Sequence, residues 1–478
     1  MTPPTTAHRP DFSVRCACGV EYHTSDAHVG RVLPCKCGRS VRVARPPEAP
    51  RAETRRVIEP EKKVHSKVRR RRRSSQAESR YTGDSRLGYV SHRVSVFLAS
   101  TLRPLFFGTQ LERVTAMLAW GYLVGMLVAW GALIYSSEQS LPGTVIAYGP
   151  RWLALYPLVL LVPLSFIVAR PTLVPLAIAS WLCVGPIMGV RVAFSTLFAS
   201  GFPVQPTPDT FRLLTYNVDG GERLAIDLAV MLRDEAPDIV TFQECSDHLW
   251  QSLESIKDWH TARHGSLCTG SRWPISQVDL MPREDFARIS NQGFGGTALV
   301  MRTFISTPHG PLVLVNLHLE TARKGLEGML GSEGFVSDDT ISPEGFTSQK
   351  TDFGGPTNSE RFARNSDIRR AESQRASHWV TGQSKTTPLV IAGDFNLPVE
   401  STIFHDFWRQ FNDAFETTGN GLGWTKREGR WLRIRIDHVL TTDAGPKPLR
   451  IKIGNDYSSD HLPVVVDLAW PTTNGSAH

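Results

Sequence analysis

Three stretches without a single charged residue follow one another in the first half of this 478-residue chain: Val114 to Tyr135 (22 residues), Trp152 to Ala169 (18) and Thr172 to Val190 (19). At 1.5 Å of rise per residue, a helix of any of these lengths reaches roughly across the ~30 Å hydrocarbon layer of a bilayer. A soluble core explains the same pattern only if it encloses three such helices in succession, so residues 113–200 read as three transmembrane helices. Arg170-Pro171 alone joins the second to the third, which predicts a tight hairpin. Pro157, Pro163, Pro175 and Pro186 predict kinks, which a helix bundle in lipid tolerates.

Orientation follows from the basic residues. Arg86, Arg93, Arg103 and Arg113 precede the first span, whereas Ser136 to Pro150 holds no Lys or Arg, so the amino end is expected in the cytoplasm. An odd number of spans then places everything after Val190 on the exoplasmic side, periplasmic or extracellular. The charge is divided to match. Residues 1–112 carry 22 Lys and Arg against 10 Asp and Glu, while residues 209–478 carry 27 against 35, so the overall +7 says nothing about the acidic second half.

Ahead of the spans, Cys16-Ala-Cys18-Gly and Cys35-Lys-Cys37-Gly repeat one pattern. Four thiolates on two tight turns suit tetrahedral Zn2+ and leave no open coordination position, so residues 13–43 read as a structural zinc module, with four reduced cysteines as the plain alternative. The stretch resembles the zinc-ribbon modules at the front of some bacterial proteins. Residues 44–112 turn to Pro, Arg, Glu and Ser, with Arg69 to Arg73 unbroken, and have too little apolar surface to offset the entropy of ordering. They read as a basic, largely disordered linker, whose arginines would attract anionic headgroups or nucleic acid. Cys245 and Cys268 complete the cysteine set with Cys183, and the sequence leaves open whether they pair.

From residue 209 to 472 the pattern is that of an α/β domain. Phe211 to Val218, Asp238 to Phe242, Thr297 to Arg302, Leu312 to Leu319, Pro388 to Ala392, Arg435 to Leu440 and Pro463 to Leu468 read as strands. Glu222 to Arg233 and Ser359 to Thr381 read as helices, and Thr321 to Asn358, rich in Gly, Ser and Thr, as a lid or a disordered insertion. Polar candidates sit at the strand ends: Asn217, Glu244, His318, Asp394 and Asn396 in Gly-Asp-Phe-Asn, Asp437, and the pair Asp460-His461. Strand ends along one sheet edge are where α/β proteins gather reactive groups. Taken singly, each has a plainer reading as a turn, a cap, a core histidine or an ion-pair partner.

Their joint order resembles the endonuclease/exonuclease/phosphatase superfamily over roughly Phe211 to Trp470. Ser271-Arg272-Trp273-Pro274-Ile275 is similar to that family's Ser-Arg-aromatic-Pro-Ile strand. The resemblance implies a deoxyribonuclease-like fold, a two-sheet β-sandwich flanked by helices, and cleavage of phosphate esters with Mg2+ or Mn2+. It implies Glu244 as the main metal carboxylate, with Asn217, Asp394, Asn396 and Asp460 placing metal, water and phosphate. His461 would contact the phosphate with Asp437 behind it, and His318 would stand opposite as acid or electrostatic clamp. No organic cofactor is expected.

Nonspecific nucleases present a basic face to the phosphate backbone, and this domain is acidic, although Lys426, Arg427, Arg430, Arg433 and Arg435 cluster before Asp437. The expectation is therefore a membrane-anchored phosphodiesterase of nuclease type. A lipid or glycolipid phosphodiesterase at the bilayer surface is the alternative, and a non-catalytic membrane scaffold that binds phosphorylated ligands is a third reading.

Overall fold

The computed structural model of the chain describes residues 99–193, 207–283, 296–330, 358–382, 387–429 and 431–471, with short stretches between 12 and 43. It divides into two compact units, Met1–Tyr89 and Val90–His478. Among its described residues the first holds two antiparallel hairpins, β1 (Phe12–Arg15) with β2 (Glu21–Thr24) and β3 (Val32–Pro34) with β4 (Ser40–Arg42). Each cysteine pair falls in sequence between the two strands of one hairpin. Cys35 is buried and Cys37 exposed, while Cys16 and Cys18 lie outside the described residues.

Most of the stretch read as a linker also lies outside the described residues, but 99–107 is helical. The second unit then sends out α1 (Gln110–Ser136), started by a reciprocal cap in which Glu112 N–H donates to Thr109 Oγ1 and Thr109 N–H to Glu112 Oε2. The connection to the next span is not plain loop: α2 (Leu141–Tyr148) forms within it, capped by Ser140. After it come α3 (Tyr156–Val168) and α4 (Leu173–Leu182), joined by a single turn at Arg170–Thr172. Among the described residues, three helical segments, Gln110–Ser136, Arg151–Val168 and Arg170–Ile187, are long and apolar enough to cross a membrane. They meet through small contacts, Ala119 with Leu161 and Leu176, and Leu123 with Ala179 and Leu182. Elsewhere their surfaces stand open, with Val159 68%, Leu160 75% and Ile167 79% exposed, a cost in water that an apolar solvent removes.

The remainder is a four-layer α/β/β/α sandwich. The first sheet contains β5 (Thr210–Gly220), β6 (Ile239–Cys245), β7 (His260–His264), β8 (Leu267–Ser271), β17 (Lys447–Ile453) and β18 (Val464–Ala469), in the order β17-β18-β5-β6-β8-β7. The second contains β9 (Ile275–Leu280), β10 (Leu299–Thr307), β11 (Gly310–His318), β12 (Leu389–Asp394), β13 (Asn412–Asp413) and β16 (Asp437–Thr441), in the order β9-β10-β11-β12-β16-β13. A separate hairpin, β14 (Lys426–Glu428) with β15 (Leu432–Ile434), stands outside both.

Alternation along the strands builds three cores. Leu213 of β5 points between the sheets to join Leu314, Val390, Val439 and Val466, while Leu214 and Tyr216 point outward onto the helices Glu222–Glu235 and Asp247–Glu254. On the far side, Val315, Ile391, Phe395 and Trp408 pack beneath the helix Asn358–Thr381. The insertion Thr321 to Asn358 begins as a helix, Arg323–Leu330, and residues 331–357 lie outside the described residues.

Candidate active site

Strand register assembles the site. β11 and β12 run parallel with His318 opposite Asp394, and β12 and β16 run antiparallel with Asp394 opposite Asp437, so three polar residues form a row across adjacent strands. Gly393 is required here. Its φ is +147°, and a Cβ at this position would lie 2.0 Å from the carbonyl oxygen of Leu317. From the facing sheet, Asn217 donates through Nδ2 to Glu244 Oε1 (2.9 Å) and to Asp394 Oδ2 (3.0 Å), tying the two sheets together at their ends.

The imidazoles close the ring of contacts. His318 Nε2 lies 3.8 Å from Glu244 Oε1 and 3.7 Å from Asp394 Oδ2. His461 meets Asp437 Oδ2 through Nδ1 at 2.8 Å and turns Nε2 toward Asp394 Oδ2 (3.7 Å) and Asp460 Oδ1 (3.8 Å). Ser459 accepts the His461 backbone N–H and donates its hydroxyl to the Asn217 carbonyl, so the Asp460-His461 segment is pinned to β5. Asn396 caps Asp394, its N–H donating to Oδ1 at 2.8 Å, and its own Nδ2 donates to the Leu319 carbonyl. All eight residues expected at strand ends thus stand in one cluster.

Two further residues join it. Asp219 stands two places after Asn217, where the strand register breaks and its N–H donates to Asn217 Oδ1 at 3.2 Å, so strand alternation does not reveal it. Lys426, on the β14 hairpin, places Nζ 2.6 Å from Asp460 Oδ2 and 3.1 Å from His461 Nε2. Nothing local in the sequence links Lys426 to a residue 34 positions away. Asp219, Glu244 and Asn396 all have positive φ, +46°, +55° and +51°, a costly conformation for residues with a side chain and one that collects at functional sites.

The electrostatics are unbalanced toward negative charge. Burial, then Asp437, pushes the Asp394 carboxyl up, and burial, then Asp460 and Glu244, does the same to Asp219. Burial alone would lower His461, but Asp437 outweighs it and holds the imidazolium up to about 9. Burial would raise Asp460, yet His461 and Lys426 together hold it below its ordinary value. Asp219, Glu244, Asp394 and Asp460 are hard oxygen donors gathered in one cluster, and the upward push on Asp219 and Asp394 marks excess negative charge that a divalent cation relieves. Asp394, Asp437 and His461 also place ligand-type atoms within 4.8 Å of one another. Asp437 Oδ2 is already engaged by the imidazole, so the Glu244 side of Asp394 suits an ion better. The residues present fit Mg2+ or Mn2+.

Cys245, directly after Glu244, is disulfide-bonded to Cys268 of β8 with Cα atoms 6.0 Å apart, which settles the pairing that the sequence leaves open.

Among solved structures, the chain is similar to a humanized TDP2 from D. rerio (15% identity, 54% of this chain and 99% of that one, TM-score 0.37). It is similar also to the 3'-5' exonuclease NExo of Neisseria meningitidis (16%, 54% and 100%, TM-score 0.38) and to an endonuclease/exonuclease/phosphatase family protein of Bacteroides thetaiotaomicron (15%, 56% and 99%, TM-score 0.37). No curated protein matches. Residues 214–461, just over half of the chain and every catalytic-domain residue of the cluster, match the Endonuclease/Exonuclease/phosphatase family, and the chain belongs to that family.

Proposed function

We propose that this chain is a membrane-anchored, divalent-metal-dependent phosphodiesterase. The observation that carries the reading is the single cluster in which four crowded carboxylates face an imidazolium backed by Asp437 and an ammonium from Lys426. Glu244, with Asn217, Asp394 and Asp460 around it, would hold the Mg2+ or Mn2+. The ion would supply charge neutralisation at the non-bridging oxygens and a more acidic water. His461, held up by Asp437, is suited to donate through Nε2 to a phosphate oxygen once the Lys426 ammonium, itself a donor 3.1 Å from Nε2, turns to Asp460 or to the phosphate. Asp394, whose carboxyl is pushed up, is the better acceptor for the proton of an attacking water. His318 stands across Asp394 from His461 and completes the clamp.

Nucleic acid and phospholipid both remain substrates of this chemistry, and one observation favours a lipid-linked phosphodiester. Trp431, at the tip of the hairpin that carries Lys426, stacks on Trp152 at the start of the second apolar segment, with ring centroids 5.5 Å apart. Tryptophan at the end of a span marks the bilayer interface. Lys426 lies only on the order of 10 Å along the hairpin from that tip, at ~3.3 Å per residue. A cleft of about 670 Å³ lined by Phe415, Trp424, Arg427, Arg433, Ile451 and Ile453 opens beside the same hairpin.

The sidedness proposed is a cytoplasmic amino terminus and an exoplasmic catalytic domain. The Cys245–Cys268 disulfide supports it, because such bonds persist in oxidising compartments. Residues 13–43 are proposed to bind structural Zn2+ through Cys16, Cys18, Cys35 and Cys37, which metal analysis of the purified protein would check. The decisive assay uses the full-length chain in detergent or nanodiscs, since residues 137–151 pack against the catalytic domain. Single- and double-stranded DNA, RNA, phospholipid vesicles and inositol phosphates are each offered with Mg2+ and with chelator. Mg2+-dependent release of product from one class supports the proposal. Binding of phosphorylated ligands without turnover of any of them would leave a scaffold instead.

A further inference from the structure

We infer that Glu138, in the segment joining the first two apolar helices, is a positioning residue for the Asp394–Asn396 loop, so that this connection between two proposed spans completes the active site. The inference rests on the function proposed above.

Glu138 is 1% exposed, although it lies between two apolar spans. Its carboxylate leaves the bundle and enters the catalytic domain. Oε2 accepts from Arg369 Nη1 at 2.5 Å, and Oε1 accepts from the hydroxyls of Tyr148 (2.7 Å) and Ser401 (2.8 Å). Its neighbourhood is anchored on both sides, since Thr402 N–H donates to Ser137 Oγ at 2.9 Å and Ser366 donates its hydroxyl to the Glu138 carbonyl. Arg369 is equally buried and stands on the helix Asn358–Thr381, so the pair joins the inter-span segment to the layer behind β12.

The far end of this network is the catalytic loop. Arg369 Nη2 donates to the carbonyl of Asn396 at 3.2 Å, and the Tyr148 hydroxyl stands at the same distance. A phenol has one proton, and the nearer Glu138 oxygen takes it, so Arg369 is the group that holds the Asn396 carbonyl. Asn396 has φ +51°, a conformation that its surroundings must enforce. Its N–H orients Asp394 Oδ1 and its side chain is committed to Leu319. Glu138 therefore acts at three removes: it fixes the guanidinium fork, the fork fixes the Asn396 carbonyl, and Asn396 fixes Asp394. Glu138 is the charged partner of the guanidinium, whose Nε also donates to the Glu320 carbonyl and whose Nη2 donates to the Tyr148 hydroxyl, so neutralising Glu138 should loosen the loop without emptying the site.

The test compares full-length wild type, Glu138→Gln and Tyr148→Phe in nanodiscs by three readouts: amide hydrogen exchange, Mn2+ affinity, and turnover of bis(p-nitrophenyl) phosphate. Glu138→Gln is expected to speed exchange at Phe395 to Leu397 while leaving Val464 to Ala469 unchanged. It is expected to weaken Mn2+ binding about tenfold, the low end of what outer-shell partners of metal ligands contribute, and to lower kcat more than it raises KM. Tyr148→Phe, which removes one hydroxyl, should move each readout in the same direction by less, and it decides the matter if Glu138→Gln does not fold. Exchange in the Asp394–Leu397 loop equal to wild type in the folded variant overturns the inference. A wild-type protein that neither binds Mn2+ nor hydrolyses any phosphate ester overturns the proposed function instead, and the exchange measurement still judges the coupling.

Discussion

Replacing Asp437 with Asn separates the two roles available to His461. The Asp437 Oδ2 to His461 Nδ1 contact is 2.8 Å and both side chains are 1% exposed, so the charge on Asp437 is what sustains a buried imidazolium. With Asp437 ionised His461 is held up to about 9, against an ordinary 6.5. That difference corresponds to about 3 kcal/mol of preference for the charged form. If the amide returns His461 to 6.5, the charged fraction at pH 8 falls from about 0.9 to about 0.03, whereas at pH 6 it still exceeds about 0.7. A mechanism that needs imidazolium therefore predicts that Asp437→Asn loses about 30-fold in kcat at pH 8 and less than about twofold at pH 6. The assay is the pH–rate profile on one phosphodiester at saturating Mg2+. A deficit of equal size at every pH, or a variant that gains activity near neutrality, would refute the assignment and make His461 a base. Stability gives an independent sign. Because the folded value is raised, the contribution of His461 in the metal-free protein is complete below about 6.5 and is lost as pH rises through about 9. In chelator, wild type should thus melt progressively lower across that window, and Asp437→Asn should not.

Removing the imidazole altogether with His461→Ala should lower kcat by about 10²- to 10⁴-fold, the usual worth of a proton-donating group, and retention within tenfold would contradict its role. Replacing Cys245 and Cys268 together by Ser should cost about 3 kcal/mol, given the 23-residue separation they close. The comparison is the midpoint of thermal unfolding with and without reductant, and only wild type should respond. Gly393→Ala drives a methyl into the Leu317 carbonyl and should destabilise by more than about 2 kcal/mol, which a shift in the same midpoint reports.

The buried strands were legible because burial leaves a mark in the sequence. Leu389 to Asp394 and Gly310 to His318 are apolar runs that close on Gly-Asp and Asn-Leu-His, Val464 to Ala469 is one that follows Asp460-His461, and each forms an interior strand. Edge strands carry no such mark. Lys447–Ile453 and His260–His264 close the two sides of the first sheet, and Pro448 sits at a register shift where an edge tolerates it. Half-solvated strands of this kind show no apolar run to read. The same reasoning explains the site. Asn217, Glu244, His318, Asp394, Asp437 and His461 each end or adjoin a readable strand, so their order could be recognised before their distances were known. Lys426 could be read only as one of a basic cluster, because Asp460 lies 34 positions away, and Glu138 could not be recognised, because its partners Arg369 and Ser401 lie 231 and 263 positions away. Ser136 to Pro150 lacks Lys and Arg, and its one acid, Glu138, points into the protein rather than to solvent.

The central claim is that the convergent carboxylates form a binding site for a divalent cation. Equilibrium binding of Mn2+ to the purified full-length chain, followed by electron paramagnetic resonance, tests it without reference to any substrate. Wild type should take up Mn2+ in competition with Mg2+, and Glu244→Gln, which keeps the shape of the side chain that Asn217 contacts at 2.9 Å, should lose most of that affinity. Mn2+ binding identical in wild type and Glu244→Gln, or absent from both, would contradict the account.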